Sequence, residues 1–542
     1  MKHILLSLSA VFIFCSGVNA QKNVERPKLV VGIVVDQMRW DYLYRFYDRY
    51  EEGGLKRLMN EGFNCQNTFI NYLPSFTAPG HSCVYTGSVP SIHGIAANDW
   101  KDNATGRSWY CTEDTTVRSV AGSNIAGKMS PRNLLASTIT DELKLATNNK
   151  SKVFGIAIKD RGSILPAGHT PNGAFWFDDS TGNFISSTYY GNQLPGWMVD
   201  FNKKRYADTL ISDVWQTMYP MNTYLQSSKD SNRYEGMIAG EKAPVFPHNA
   251  KKTALGYNAL RYMPGGNTIT FRAAKACVNA ENLGKNDNTD FLCLSFSTTD
   301  YIGHTFAPNS IEIEDIYLRF DNELANFLKY LDKSVGKGNY TVFLTADHGG
   351  AHNAEYLRDK NIPAGADDPA ASGTDLRNLM KTKFGTDKAI LAVTNYQVYL
   401  DEQLIAQKKL DRKDIKTAVL EWLNTQPAVQ YAADMENIAN AAIPEPIKGM
   451  MINGYNRNRS GVIQIVLNPG WYSGEHGGKG TTHGSWNPYD THIPLLWYGW
   501  GVEKGETFKE TYMTDISATL AALLHIQMPN GCIGKVIEKA LD

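Results

Sequence analysis

Neither sign of charge dominates this sequence: 54 Lys+Arg face 55 Asp+Glu across 542 residues, a formal net charge of −1. The missing basic excess argues against a nucleic-acid binder, which usually shows one. Cysteine is scarce. Of seven, Cys15 lies in the N-terminal leader, and none of the other six (Cys65, Cys83, Cys111, Cys277, Cys293, Cys532) forms a CxxC pair. That argues against a thiolate zinc site or a thioredoxin-type motif. The six are expected as buried thiols or as one to three structural bridges, since so long a chain does not depend on a disulfide framework. No apolar run approaches the about 20 residues that a membrane-spanning helix needs. The Walker A loop, the dinucleotide fingerprint, the GxSxG elbow and HExxH are absent as well. Intrinsic disorder is excluded by 42% hydrophobic residues at so low a net charge.

The first twenty residues stand apart. Lys2 is followed by a mostly apolar run from Ile4 to Cys15, and Val18-Asn19-Ala20 offers small residues at a cleavage site. This reads as a secretory signal peptide over 1–20, cleaved after Ala20. Cys15 lacks a lipidation box, because Ile13-Phe14 stand where small residues belong. The mature chain, 21–542, is expected to be periplasmic, soluble and monomeric, without a membrane span.

Continuous β-branched and apolar runs occur at residues 28–36, 152–158, 290–297 and 340–345, with a weaker one at 493–498. Such runs suit strands buried on both faces of a parallel sheet. Helical periodicity occupies 310–331, 131–146 and 514–524. The alternation predicts an α/β fold with a largely parallel central sheet and helices on both faces. Residues of about 165–265 and 360–470 break the pattern and are read as insertions on one core; a two-domain division near 360 is the alternative.

Three of these strands lead into acidic or acidic-plus-His clusters: Asp36, then Asp300-Tyr-Ile-Gly-His304, then Asp347-His348-Gly-Gly. Ligands of open α/β sheets bind beyond the carboxyl ends of strands, so these side chains should gather on one edge. Asp300 and His304, four apart, share a face of a helical turn. His483 lies in the Gly-rich loop Gly480-Thr-Thr-His-Gly-Ser485. Asp and His donors without thiolate point to a hydrolytic metal site, zinc first and manganese second. His476, His352 and His81 receive no ligand role.

Two further stretches carry chemistry. In Phe76-Thr77-Ala-Pro-Gly-His-Ser82 the threonine is either a plain helix cap or a hydroxyl nucleophile at a helix N-terminus. In Lys159-Asp160-Arg161, directly after a strand, the two cations either reach one anionic target from an extended chain or form an exposed charged turn. The aromatic run Phe175-Trp176-Phe177 is expected to wall the leaving-group side of a site.

The ordered set Asp36, Thr77, Asn98, Lys159/Arg161, Asp300-x-x-x-His304, Asp347-His348 and His483 resembles the alkaline phosphatase superfamily, nearest its exported bacterial phosphate-irrepressible monoesterases with a threonine nucleophile. The likeness runs through Thr514-Asp515-Ile516 to the C-terminal helix. It implies two Zn²⁺ per chain, one on Asp300, His304 and His483, the other on Asp36, Thr77, Asp347 and His348. It also implies Asn98, Lys159 and Arg161 on the phosphoryl oxygens, and hydrolysis of a broad range of small phosphate monoesters through a phospho-threonine. No ligand set for a third metal is evident. Three other readings compete: a nucleotide pyrophosphatase/phosphodiesterase, a sulfatase and a non-catalytic zinc- or phosphate-binding protein. The sulfatase is disfavoured because Thr77-Ala-Pro-Gly-His81 is not its nucleophile motif.

Overall fold

The computed structural model describes residues 24–474 and 478–541; the leader and His476 lie outside them. Ten strands build the central sheet: β1 (Leu29–Val35), β2 (Phe63–Cys65), β3 (Ser119–Val120), β4 (Val153–Ala157), β5 (Gly173–Asp178), β6 (Asn183–Ser187), β7 (Asp290–Phe296), β8 (Tyr340–Thr345), β9 (Leu495–Gly499) and β10 (Gly505–Thr507). Their order is β10-β2-β9-β8-β1-β7-β4-β5-β6-β3. The inner five, β8-β1-β7-β4-β5, are parallel, and β9 runs antiparallel beside β8. All seven residues of β1 and of β7 are buried, which explains their unbroken apolar character.

Helices cover both faces. On one lie α1 (Thr77–Thr86) and α2 (Asp160–Ala167); on the other lie α3 (Gly265–Ala280) and α5 (Ile311–Leu331), which follows the short α4 (Thr298–Phe306). Phe291 of β7 packs on Tyr85 of α1, whereas Phe296 packs on Phe271 of α3 and Phe320 of α5. An odd separation along one strand thus serves opposite layers. The C-terminal α6 (Asp515–Leu523) returns to α1, where Ser517 Oγ donates to the Val84 carbonyl.

Two expectations are revised. The stretch 165–265 contributes β5 and β6 to the central sheet, so only its later part decorates the core. Its Gly-, Tyr- and Asn-rich composition hid two short strands. Phe175, Trp176 and Phe177, on β5, are at most 2% exposed and pack within the core rather than walling a site. Residues of about 360–470, by contrast, hold a separate four-stranded sheet with an apolar cluster of its own around Leu376, Val398, Ile415 and Ile463. All six cysteines are free thiols, five of them buried, in keeping with the thiol reading.

Candidate active site

Parallel register brings the carboxyl ends of β8, β1, β7 and β4 to one edge, and each chain leaves that edge through a polar residue: Asp347, Asp36, Asp300 and Lys159. Asp36, Asp347 and His348 have no exposed surface, and Asp300 has 4%. Among the described residues, two groups of three side chains offer donor atoms within 4.8 Å of one another: Asp300 with His304 and His483, and Asp36 with Asp300 and His348. His304 Nε2 lies 3.2 Å from Asp300 Oδ1, and His348 Nε2 lies 3.5 Å from Asp36 Oδ1 and 3.6 Å from Asp347 Oδ2.

The tautomers are set from outside. Nδ1 of His304 meets the Thr481 carbonyl, Nδ1 of His348 that of Gly349 and Nδ1 of His483 that of Ser75, at 2.9, 2.9 and 2.8 Å. A proton held on Nδ1 turns the Nε2 lone pair inward, the orientation in which a metal-ligating imidazole is held by its outer partner. Burial, reinforced by neighbouring imidazoles for His483, lowers the pKa of both His348 and His483 and keeps them neutral. Burial and the charges of Asp300 and Asp347 push Asp36 well up, while Asp300, buried as deeply, is held well down by Lys159 and His304.

Asp36 Oδ1 and Asp347 Oδ2 are buried without a hydrogen-bond partner. Stranding such an oxygen costs about 1–3 kcal/mol, more when it is charged. Orphaned carboxylate oxygens beside inward-facing imidazole nitrogens, with no thiolate, fit divalent zinc.

Thr77 opens α1, but Phe76 is the residue at the N-cap and no side chain caps the helix. The Thr77 hydroxyl is therefore not spent on capping; it lies 3.3 Å from His348 Nε2. Gly80, one turn on, lets α1 approach closely, since a Cβ there would stand 2.5 Å from the Asp347 carbonyl oxygen. Asn98 accepts from the Ala78 N–H at 2.9 Å through Oδ1, which leaves its Nδ2 hydrogens free of that contact.

The Lys159–Arg161 geometry differs from the extended one. Lys159 is extended, but α2 begins at Asp160, so alternation does not apply. Nζ of Lys159 contacts Asp36 Oδ2 at 2.7 Å and Asp300 Oδ2 at 2.6 Å, spanning both donor groups. Burial would discharge this amine, yet Asp300 and Asp36 hold its pKa above the usual lysine value. Arg161 donates through Nη1 to the Tyr110 hydroxyl at 2.9 Å, which itself donates to Asp160 at 2.8 Å.

Three residues support the site in ways the sequence did not assign, among them His81, which keeps no ligand role. His81, on α1, meets the Thr77 carbonyl and Asp347 Oδ2 through Nδ1, and Ser295 Oγ through Nε2. Its separation of four from Thr77 was the available signal. Gln37 donates to Asp300 Oδ1 from its side chain and to Asp347 Oδ1 from its backbone, and Tyr110 orders Arg161. Only the fold brings their partners near.

A cavity of about 730 Å³ opens at His304, His483 and Phe76. Its walls are Tyr262 and Tyr301 from the core side and Asp367, Asn395 and Tyr396 from the 360–470 region. The Tyr396 hydroxyl donates to the His483 carbonyl at 3.1 Å, tying that region to the Gly-rich loop that carries His483.

A family model described as type I phosphodiesterase / nucleotide pyrophosphatase matches residues 30–490. A protein of Myroides odoratus named calcium-transporting ATPase is 51% identical over 98% of this chain and 97% of its own. The alkaline phosphatase PhoV of Synechococcus elongatus is 50% identical over 100% of both chains. A crystal structure of wild-type alkaline phosphatase PafA is 50% identical, covers 96% of this chain and 100% of its own, and superposes with a TM-score of 0.94. A solved variant of PafA is altered at one threonine, one asparagine, one lysine and one arginine, in that order along its chain.

Proposed function

The chain belongs to the alkaline phosphatase superfamily and is a phosphoric monoester hydrolase; from that premise we propose that Thr77 is its nucleophile and that Asn98, Lys159 and Arg161 grip the transferred phosphoryl group. The observation that carries this is an uncapping threonine hydroxyl aimed at a buried Asp/His set. Thr77, Asn98, Lys159 and Arg161 are also the four residue types, in chain order, altered in the PafA variant. Asp300, His304 and His483 would hold one Zn²⁺, and Asp36, Thr77, Asp347 and His348 the other. When bound, the zinc pair supplies the Lewis acidity that stabilises charge on the attacking and leaving oxygens.

Thr77 Oγ forms a bond to phosphorus as the bond to the leaving alcohol breaks, and the alcohol departs with a proton. Water then attacks the phospho-threonine, releasing inorganic phosphate and restoring the hydroxyl. Asn98 offers Nδ2 to a phosphoryl oxygen while Ala78 holds its Oδ1. Charge favours a monoester. With Asp36, Asp300 and Asp347 ionised against Lys159 and Arg161, the protein groups alone leave one negative charge in excess. Two divalent cations reverse this to a positive excess, which draws a dianion more strongly than a singly charged diester.

The name of the family model keeps diester hydrolysis in view, and the two cations divide the readings. Replacing Lys159 and Arg161 together by alanine is expected to lower kcat/KM for a monoester at least about tenfold more than for a diester, because the second anionic charge is what they read. Equal losses on both would refute that role. Tyr110→Phe, which removes only the hydroxyl between Arg161 and Asp160, is expected to cost about three- to tenfold in monoester kcat/KM with little change in Tm. Full monoester activity would show that Arg161 needs no such support.

The ATPase name of the Myroides relative fits the same chemistry, since ATP also ends in a phosphoryl group. Among the described residues no helix is long and apolar enough to cross a membrane. A broad range of small monoesters suits a cavity of about 730 Å³ lined with tyrosines, and we place the enzyme in the periplasm on the strength of its leader.

A further inference from the structure

Away from the catalytic edge, the fold buries a second set of acids. Glu312, in the first turn of α5, has no exposed surface, and Glu235, in the segment before α3, has 1%. Glu312 Oε1 lies 3.1 Å from His248 Nε2, and His248 Nδ1 lies 3.0 Å from Glu241 Oε2. Glu235 Oε1 accepts from Asn232 Nδ2. The other oxygen of each carboxylate, Glu312 Oε2 and Glu235 Oε2, is buried without a hydrogen-bond partner.

Compensation is short. Burial and then Glu312 push Glu235 well up, and Asp230 adds a further like charge to both. Against Glu235, Glu312, Glu241 and Asp230 stands one imidazolium, His248, which Glu241 and Glu312 keep charged in spite of burial. No lysine or arginine is among the principal charges acting on either buried glutamate. A pair like this takes up either a proton or a cation.

The surroundings favour the cation. Beside Glu235 a hollow of about 10 Å³ is lined by the polar Ser228, Asn232, Asn309 and Ser310 and, on its other sides, by Phe306 and Tyr356 among others. That is about the room one water-sized particle needs. Both nitrogens of His248 are engaged by carboxylates, so the free donors are oxygens only. An all-oxygen, irregular set suits Ca²⁺, which accepts six to eight oxygens in flexible geometry, better than zinc or the strictly octahedral Mg²⁺.

We propose that Glu235 and Glu312 hold a structural Ca²⁺ ion, separate from the catalytic metals. Among the described residues the two triads that already converge within 4.8 Å both belong to the catalytic edge, so binding draws the two glutamates toward a common point. It fastens the Glu235 segment to α5. Gly236 follows directly, donating its N–H to the Thr305 carbonyl at 2.7 Å, and it lines the catalytic cavity.

The test uses zinc-saturated protein in calcium-free buffer. Adding about 1 mM Ca²⁺, the range of extracellular sites, is expected to raise Tm by about 2 °C or more. Tb³⁺ should luminesce when Trp215 is excited, its ring lying 5.2 Å from that of His248, and Ca²⁺ should displace it. Glu312→Gln also disturbs His248 and risks misfolding, so Glu235→Gln is the deciding variant. It should lose both responses, yet match or exceed the wild-type Tm in calcium-free buffer, because one buried like charge is gone. Wild-type protein indifferent to both ions would assign a shared proton to the pair and overturn the proposal. So would Glu235→Gln that still binds Tb³⁺ as tightly as wild type.

Discussion

Thr77→Ala is expected to lower monoester turnover by at least about 10⁴-fold, because it deletes the oxygen proposed to displace the leaving alcohol from phosphorus. The fold should survive, since Thr77 caps nothing at the start of α1 and alanine is a good helix former. Tm should therefore stay within about 1–2 °C of wild type. Thr77→Ser, which keeps a hydroxyl, should retain measurable activity, and quenched reactions with labelled substrate should trap phosphate on residue 77 only in chains that carry a hydroxyl there. Near-normal turnover by the alanine variant would reject the nucleophile assignment, whatever else remained intact. Loss of activity together with a large drop in Tm would instead mean that the hydroxyl holds the helix start in place.

Exhaustive metal stripping is the second large effect. Removing divalent ions should lower turnover at least about 10³-fold, and Zn²⁺ should restore it where Ca²⁺ does not. Stability should fall as well. Asp36 Oδ1 has no hydrogen-bond donor and Asp347 Oδ2 only the 3.3 Å contact with His81 Nδ1, and three buried carboxylates then face one another with Lys159 as the nearest ammonium. Buried charge left without compensation costs several kcal/mol. Asp36→Asn and Asp347→Asn should each weaken zinc retention, measured by metal analysis after gel filtration, and lower turnover in proportion. A fully stripped sample that still hydrolyses monoesters at the original rate would remove the metals from the mechanism. The same sample serves as the control for phosphate release, because a protein that merely bound zinc and phosphate would release none above it.

Local patterns in the sequence were enough for the strands that carry the chemistry. The β-branched runs at 28–36, 152–158, 290–297 and 340–345 are buried strands because a parallel strand covered on both faces needs apolar side chains throughout. Their polar exits then had to meet at one edge, since parallel strands end on the same side. Where the local pattern was weaker the reading slipped. β5 and β6 went unseen inside a polar stretch, and β9, correctly placed, runs against its neighbour, a direction that no hydropathy pattern encodes. The extended reading of Lys159 and Arg161 failed for a local reason: the helix starts one residue after the strand-end lysine.

What the sequence determined alone is the kind of chemistry: which side chains stand at strand ends, that no thiolate competes with them, and that a hydroxyl sits at a helix start. Those facts depend on neighbours within a few residues, where backbone period and side-chain type govern the outcome. Tertiary structure decided everything that joins distant segments. It pinned the three imidazoles by carbonyls of Thr481, Gly349 and Ser75, set His81 between Asp347 and Ser295, and braced Arg161 with Tyr110. It also closed the cavity with the 360–470 region and gathered Glu235, Glu312 and His248. Such contacts arise from the packing of whole layers, and each partner gains its meaning only when another part of the chain arrives.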